Sequence, residues 1–283
     1  MSLGACNFFD TTLRKVIDHT VMGRVYFISD MHLGASYFPD RHAHERLVVS
    51  FLESIASDAD ELYMLGDVLD YWFEYRYVVP RGYVRFFGAL ARLADRGVKI
   101  HWFTGNHDIW LFDYLRDEIG IEVVDGYAVR DILGKRFFLN HGDGVGKVKP
   151  SFRFLRSLFR NKFCQKLYSG IHPRWTVGFA HSWSCSSRRN GSAQPDLKQP
   201  LTEDPLVAFS EEYLRDVDPG IDYFVYGHRH VLLDYQLPGS RSQVIILGDW
   251  ISHFTYGVFD GETFALNTYS DAAIEVPTSV TGH

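Results

Sequence analysis

The chain has 283 residues, of which 46% are hydrophobic and 23% are charged, and its formal net charge at pH 7 is −6. A chain of this length and composition can bury a large core, and no apolar run reaches the roughly 18 residues that a membrane-spanning helix needs. The cysteines Cys6, Cys164 and Cys185 are far apart and form no CxxC pair, which argues against a disulfide framework and against thiolate metal ligands.

We predict a segment outside the main domain at each end of the chain. Residues 1–21 lack a long apolar segment, so we expect an N-terminal extension rather than a secretory signal, and a cytoplasmic location. Residues 271–283 have the composition of a loose tail. We therefore predict that one domain occupies residues 22–270.

The first part of this domain alternates apolar runs with amphipathic segments. Val25–Ser29, Leu62–Leu65 and Ile100–Thr104 are typical of buried strands. Between them, His42–Asp58 and Gly82–Arg96 have the periodicity of amphipathic helices. This alternation implies right-handed parallel crossovers in an α/β fold.

Two histidines lie at the start of the first predicted helix. We expect both His42 and His44 to be exposed surface residues, because polar side chains near a helix start are usually solvated.

The second part of the domain is rich in predicted strands. The predicted elements are a helix over Leu111–Ile119, a hairpin of Tyr127–Ile132 and Arg136–Asn140, a helix from Asp204-Pro205, and strands at Asp222–Tyr226, Val231–Leu237, Gln243–Leu247, Phe254–Phe259 and Glu262–Tyr269.

Five of the predicted strands are followed by loops that combine glycine with Asp, Asn or His. These loops are Asp30-Met31-His32-Leu33-Gly34, Gly66-Asp67, Gly105-Asn106-His107-Asp108, His141-Gly142-Asp143 and Gly227-His228-Arg229-His230. A single Asp in such a position is usually a cap or a turn former. Five loops of this kind at the ligand-binding ends of strands indicate a metal site.

The side chains in these loops offer oxygen and imidazole ligands without thiolates, a set that suits Mn, Fe or Zn. Seven candidates are present: Asp30, His32, Asp67, Asn106, His141, His228 and His230. This is too many for one tetrahedral ion and fits two divalent ions about 3.5–4 Å apart.

A basic segment separates the fourth of these loops from the fifth. Gly144–Pro195 contains ten Lys and Arg residues and no Asp or Glu. Apolar residues recur there at helical spacing, with arginines on a neighbouring face: Phe152, Leu155, Phe159, Phe163 and Leu167 beside Arg153, Arg156 and Arg160. Such a helix suits anionic membrane surfaces or anionic amphiphiles; the alternative is a cap whose apolar face packs on the core. We predict an inserted helical cap at about residues 146–204.

The five loops together resemble the blocks of the calcineurin-like metallophosphoesterases. That resemblance implies a four-layer αββα sandwich with the inserted cap. It implies one ion on Asp30, His32, Asp67 and His230, and a second on Asp67, Asn106, His141 and His228, with Asp67 as the bridge.

The resemblance also implies catalytic roles for two residues outside the ligand set. In that family a histidine at the position of His107 faces the substrate phosphate, as a general acid or a charge stabiliser. Asp70 matches the carboxylate that orients this histidine, so we predict a hydrogen bond between them; the alternative role for Asp70 is a helix N-cap. Asp108 and Asp143 are expected to brace loops.

A narrower resemblance involves Gly66–Glu74, Gly105–Trp110, His141–Gly144 and the cap. These segments are similar to UDP-2,3-diacylglucosamine pyrophosphohydrolases of lipid A synthesis, although the best-known members have Arg at the position of His107 and Glu at that of Asp70. The similarity implies cleavage of a nucleotide-linked acylated sugar to UMP and a diacylated sugar phosphate, usually with manganese, peripherally at the inner face of the inner membrane, with no nucleic-acid partner. Candidate substrate contacts are Asn106, Arg153, Arg156, Trp183, Arg188 and Arg189.

Other functions share the same metal chemistry. A phosphoprotein phosphatase would have Arg-Gly where this chain has Tyr71-Trp72. A nuclease or cyclic-nucleotide phosphodiesterase has no need of an apolar basic cap. Hydrolysis of another nucleotide diphosphate or phosphodiester stays open, and a non-enzymatic binding module would be expected to have lost ligands.

Overall fold

A computed structural model describes residues 23–146, 150–173, 175, 200 and 204–270. The predicted N-terminal extension, the predicted C-terminal tail and most of the second half of the predicted cap lie outside these residues. No helix in the described ranges combines the length and the apolar character needed to cross a membrane.

The described residues form two mixed β-sheets. Their strands are β1 (Arg24–Ile28), β2 (Ala59–Leu65), β3 (Lys99–Phe103), β4 (Glu122–Val124), β5 (Tyr127–Ile132), β6 (Lys135–Asn140), β7 (Tyr223–Tyr226), β8 (Leu232–Gln236), β9 (Gln243–Leu247), β10 (Thr255–Phe259) and β11 (Phe264–Thr268). The strand order is β11-β10-β1-β2-β3-β4 in the first sheet and β5-β6-β7-β9-β8 in the second. Strands β1 to β4 are parallel to one another, as are β6, β7 and β9.

Helices cover the outer faces of both sheets. The described helices are α1 (Arg41–Ser54), α2 (Val84–Asp95), α3 (Tyr114–Ile119), α4 (Pro150–Arg160), α5 (Lys162–Ser169) and α6 (Pro205–Asp216). Burial of both sheet faces explains why the central strands are continuous apolar runs rather than alternating ones.

Three apolar clusters separate four layers. The first includes Phe51 of α1 and Leu90 of α2 and packs these helices on the first sheet. The second lies between the sheets, where Phe27 and Phe137 stack with ring centroids 5.6 Å apart. The third includes Leu206 and joins α6 to the second sheet. The predicted αββα sandwich is confirmed.

The described part of the cap packs on the core through aromatic residues. The Trp110 indole N–H donates to the main-chain carbonyl of Phe159 at 3.0 Å, and the two rings meet edge to face. The ring of Tyr168 in α5 contacts both Trp110 and Phe73. The cap therefore has an apolar contact with the core, as expected if its apolar face packs on the core.

The single amphipathic helix expected for the cap is two helices. The Asn161 side chain accepts the main-chain N–H groups of Phe163 and Cys164 and so begins α5 directly after α4 ends. The predicted apolar stripe is divided as a result. Leu155 and Phe159 are half-buried, whereas Phe163 and Leu167 are exposed, and the side chain of Phe152 lies outside the described set.

The prediction that His44 is exposed is wrong. Its side chain is buried, stacks on Phe38 with centroids 3.8 Å apart, and places Nε2 2.8 Å from the main-chain oxygen of Met31. Asp40 caps α1 through the amides of His42 and Ala43, and from exposed His42 through half-buried Ala43 the helix turns to its buried face at His44. His42 is exposed, as predicted.

Candidate metal centre

The predicted ligands come together at the carboxyl ends of strands from both sheets. They are Asp30 and His32 after β1, Asp67 after β2, Asn106 after β3, His141 after β6, and His228 and His230 after β7.

The first group of donor atoms belongs to Asp30, His32 and His230. Asp30 Oδ1 lies 3.8 Å from His32 Nε2 and 3.6 Å from His230 Nε2. These distances are too long for hydrogen bonds. They are close to the roughly 3.0–3.4 Å that separates two ligand atoms bound to the same metal ion by bonds of about 2.1 Å. Asp30 Oδ1 is buried and has no hydrogen-bond partner within the described ranges. A cation would satisfy this oxygen.

The second group consists of Asp67, His141 and His228, with Asn106 Oδ1 3.3 Å from His141 Nε2. Asp67 Oδ2 contributes to both groups, because it lies 3.4 Å from His141 Nε2 and 3.7 Å from His32 Nε2. The geometry therefore suits two cations that share the Asp67 carboxylate.

The remaining atoms of these side chains are held by the main chain. Asp30 Oδ2 accepts a main-chain N–H at 2.8 Å, and Asp67 Oδ1 accepts one at 2.9 Å. His141 Nδ1 lies 2.8 Å from the carbonyl oxygen of Leu65. Donation from Nδ1–H to that oxygen leaves the lone pair of Nε2 facing Asp67, as a metal ligand requires.

Backbone strain is concentrated at the same residues. Within the described ranges, eight residues other than glycine have a positive φ, and five of them are candidate ligands. The five are Asp30, His32, Asp67, His228 and His230. A left-handed conformation costs such a residue roughly 1–2 kcal/mol, so its repetition at one site indicates a functional constraint.

Two glycines allow the strand ends to approach one another. A Cβ atom on Gly105 would collide with the Asp67 carboxylate, and one on Gly227 would lie 2.6 Å from Asp30 Oδ2. Glycine is therefore required at both positions, because a side chain there would collide with a metal-ligand carboxylate.

The electrostatics favour positive charge between the ligands. Burial alone raises the pKa of Asp67, but His141, His107 and His32 hold it well below its ordinary value. Burial and the charge of His141 lower the pKa of His228 to about 3, so its imidazole is neutral and available to a metal. At His141 the Asp67 carboxylate outweighs burial and raises the pKa.

Asp108 braces the loops, as predicted. Its buried carboxylate accepts the main-chain N–H groups of Gly105 at 2.7 Å and Val68 at 2.9 Å, and the indole N–H of Trp102 at 3.1 Å. Burial and the neighbouring Asp67 raise the pKa of Asp108 to about 6. The loops after β2 and β3 are thus fixed to each other.

His107 and Asp70 are hydrogen-bonded, but through a different acceptor from the one expected. His107 Nδ1 lies 3.0 Å from the main-chain oxygen of Asp70 and 3.5 Å from Oδ1 of its carboxylate. The carboxylate lies between two imidazoles, because the same Oδ1 is 3.7 Å from His32 Nδ1. The rings of His32 and His107 meet edge to face at 4.8 Å. The catalytic roles of His107 and Asp70 stay predictions.

The predicted substrate contacts are only partly described. Arg153 is exposed on α4. Arg156 turns toward the core, where its Nε donates to Asp143 Oδ2 at 2.8 Å, so Asp143 anchors the cap. Trp183, Arg188 and Arg189 lie outside the described residues.

One carboxylate of this site, Asp249, was not predicted from the sequence. Asp249 follows β9, and its Oδ2 lies 3.2 Å from His230 Nδ1. The sequence does contain a pattern that indicates this residue: Leu247-Gly248-Asp249 repeats Leu65-Gly66-Asp67 at the end of a sixth apolar run.

Comparison with known proteins agrees with this geometry. Residues 23–232 match the family model described as calcineurin-like phosphoesterase. A UDP-2,3-diacylglucosamine hydrolase of Porphyromonas gingivalis is 43% identical over 260 residues, which cover 88% of this chain and 98% of the relative. A protein of the same name from Aeromonas salmonicida is 30% identical, over 79% of this chain and 85% of the relative. Another, from Nitrosococcus oceani, is 27% identical, over 80% of this chain and 86% of the relative.

Proposed function

We propose that this chain, which belongs to the calcineurin-like phosphoesterase family, hydrolyses UDP-2,3-diacylglucosamine to UMP and 2,3-diacylglucosamine 1-phosphate. The observation that carries the proposal is the position of Asp67 Oδ2 between two groups of metal-ligand atoms. The 43% identical relative supports the choice of substrate.

The family uses a divalent metal centre, and we propose two ions, with manganese preferred over iron or zinc. Asp30, His32, Asp67 and His230 would hold one ion, and Asp67, Asn106, His141 and His228 would hold the other. Two such ions would act as Lewis acids on the phosphoryl oxygens and would activate the attacking water.

His107 and Asp70 would act on the diphosphate beside the ions. The His107 ring lies edge to face with that of His32, and its Nδ1 is held at the Asp70 carbonyl. When both ring nitrogens carry a proton, Nδ1–H donates to that carbonyl and Nε2–H is left to contact the substrate phosphate. His107 would then stabilise negative charge or transfer a proton to the leaving phosphate.

The cap would bind the acylated part of the substrate. We propose that it is an insertion at about residues 146–204 in a domain that spans residues 22–270. Its described helices combine exposed apolar side chains with exposed Arg153, Lys162 and Lys166. Acyl chains need an apolar surface, and a diphosphate needs cations. Arg156, Trp183, Arg188 and Arg189 remain proposed substrate contacts.

The same helices would hold the protein peripherally on an anionic membrane, at the cytoplasmic face of the inner membrane. Large apolar side chains are exposed on α4, on α5 and just beyond: Phe154, Leu158, Phe163, Leu167, Ile171 and Trp175. We call these six residues the cap surface. Exposed aromatic and aliphatic residues beside lysines are typical of an interfacial helix.

The proposal is tested by the products of one reaction. Purified protein with Mn²⁺ is incubated with UDP-2,3-diacylglucosamine, and the products are identified by mass. We expect UMP and the lipid phosphate in equal amounts, and no turnover after chelation or in Asp67→Ala. Equal turnover of UDP-N-acetylglucosamine would favour a general nucleotide-diphosphate hydrolase, and near-normal activity of Asp67→Ala would contradict the shared carboxylate.

A further inference from the structure

Asp249 contacts the metal centre from outside the ligand set. It is buried at the end of β9, and its Oδ2 lies 3.2 Å from His230 Nδ1. The other nitrogen of this imidazole, Nε2, faces Asp30 Oδ1 at 3.6 Å. The His230 ring therefore lies between one carboxylate in the ligand set and another behind it.

Asp249 Oδ1 binds the turn that follows β9, whereas Oδ2 faces the imidazole of His230. Oδ1 accepts the main-chain N–H groups of Ile251 at 3.0 Å, Ser252 at 2.8 Å and His253 at 3.0 Å. These bonds form the turn after β9 and fix the plane of the carboxylate. The Ser252 hydroxyl also donates to the carboxylate, at 3.2 Å from Oδ1 and 3.4 Å from Oδ2, and Oδ2 accepts from the His230 imidazole.

The neighbouring residue contacts a second ligand of the same group. The Trp250 main-chain N–H donates to the carbonyl oxygen of Asp30 at 3.1 Å. Asp249 and Trp250 thus hold His230 and Asp30, two members of the first group of donor atoms. His230 has a left-handed backbone conformation, with φ of 51°, so its position depends on such external contacts.

We infer that Asp249 is a positioning residue for the metal centre, which fixes His230 in the tautomer with the proton on Nδ1 and the lone pair of Nε2 toward the ion. A carboxylate acceptor behind a ligand imidazole orients the ring and makes its free nitrogen more basic, and loss of such a partner weakens metal binding by roughly 10–100-fold. The inference rests on the proposed metal centre but not on the identity of the phosphoester.

The test uses Asp249→Asn, because asparagine retains an oxygen for the three amides but presents an NH₂ group to His230. Mn²⁺ binding to metal-free protein is measured by calorimetry, and retained metal is measured after dialysis. We expect one of two ions to bind roughly 10–100-fold more weakly. Asp260→Asn is the matched control, since Asp260 Oδ1 accepts the amides of Glu262 and Thr263 in an exposed turn, and it should bind both ions normally.

A double-mutant cycle shows whether the effect passes through His230. In a His230→Ala background, Asp249→Asn should not weaken Mn²⁺ binding further. If Asp249→Asn weakens Mn²⁺ binding as much in the His230→Ala background as in the wild type, the inference is overturned. Wild-type Mn²⁺ affinity in the Asp249→Asn single variant would also overturn it, and both results would leave the proposed function intact. Wild-type protein that binds no divalent ion would overturn both.

A measurement on the wild-type protein covers the case in which the variant does not fold. In the Zn²⁺-loaded enzyme, long-range ¹H–¹⁵N spectra should show His230 protonated on Nδ1 and metal-bound through Nε2. Metal binding through Nδ1 would contradict the role of Asp249.

Discussion

At the scale of single residues, His44 shows how burial creates pH dependence. Burial lowers the pKa of His44 to about 4 from an ordinary value of 6.5. Because the unfolded chain then binds the proton more tightly, the stability that the neutral ring provides is complete above about pH 6.5 and is lost as the pH falls toward about 4. Protonation would also add a charge to the buried His44 ring, which stacks on half-buried Phe38.

We therefore predict that His44→Gln reduces the pH dependence of folding. Glutamine can still donate to the Met31 carbonyl but does not titrate. Between about pH 8 and about pH 5 the variant should lose about 2 kcal/mol less unfolding free energy than the wild type, measured by urea unfolding. The control is His42→Gln, on the exposed side of the same helix; a similar reduction in both variants would contradict the assignment to His44.

At the scale of secondary-structure elements, two helices are capped by glutamates from other parts of the chain. The Glu45 carboxylate accepts the N–H groups of Arg85 and Phe86 at the start of α2. Glu74 Oε2 accepts the N–H groups of Phe112, Asp113 and Tyr114 at the start of α3, and Oε1 accepts the indole N–H of Trp72 at 3.1 Å. Neither helix has a hydrogen bond from its own N-cap side chain.

We predict that Glu74→Ala destabilises the protein by about 3 kcal/mol, because it leaves several donors of a charge-assisted network unpaired. Unfolding free energy and hydrogen exchange of the amides of residues 112–114 provide the measurement. Glu118→Ala, at an exposed position of α3, should change stability by less than about 0.5 kcal/mol. Equal losses in the two variants would show that the cap is not the cause.

Local patterns predicted the strands and loops of the site but not the contacts between distant segments. An apolar run followed by glycine and a polar residue predicted the ends of β2, β3 and β7. This pattern is local, because a buried strand and the tight turn after it are adjacent in the sequence. By contrast, the burial of His44 depends on Met31, and the inward turn of Arg156 depends on Asp143. Helical periodicity alone cannot identify such partners.

The boundaries of short elements were also beyond prediction. Strand β4 has three residues and is defined by its parallel pairing with β3. The helix expected from Leu111 begins at Tyr114, because Glu74 binds the preceding amides. Asn161 divides the cap helix without interrupting its apolar spacing. In each case a hydrogen-bond partner, rather than residue propensity, determines where the element begins.

At the scale of the whole molecule, the cap is joined to the core by charge as well as by aromatic packing. Arg156 pairs with Asp143, and Arg160 Nε donates to Asp125 at 3.0 Å. Among the described basic residues of the cap, Arg156 and Arg160 therefore balance acids of the core. The described lysines of α5, Lys162 and Lys166, are exposed and lie beside the cap surface.

We predict that the triple variant Phe154→Ser, Phe163→Ser and Leu167→Ser loses binding to anionic vesicles. The side chains are 71%, 69% and 61% exposed, so serine removes apolar contact area without opening a cavity in the core. Co-sedimentation with phosphatidylglycerol vesicles is compared with that on phosphatidylcholine vesicles. Val217→Ser, at an apolar position 65% exposed beyond α6, is the control; unchanged vesicle binding by the triple variant would contradict a membrane role for the cap surface.

The most direct test of the account is a crystal structure of the Mn²⁺-loaded protein with anomalous diffraction data. We expect two anomalous peaks about 3.5–4 Å apart, with Asp67 Oδ2 between them, His230 on one ion and His141 on the other. A single peak, no peak, or ions away from these side chains would contradict the claim that loops from both sheets hold a pair of cations.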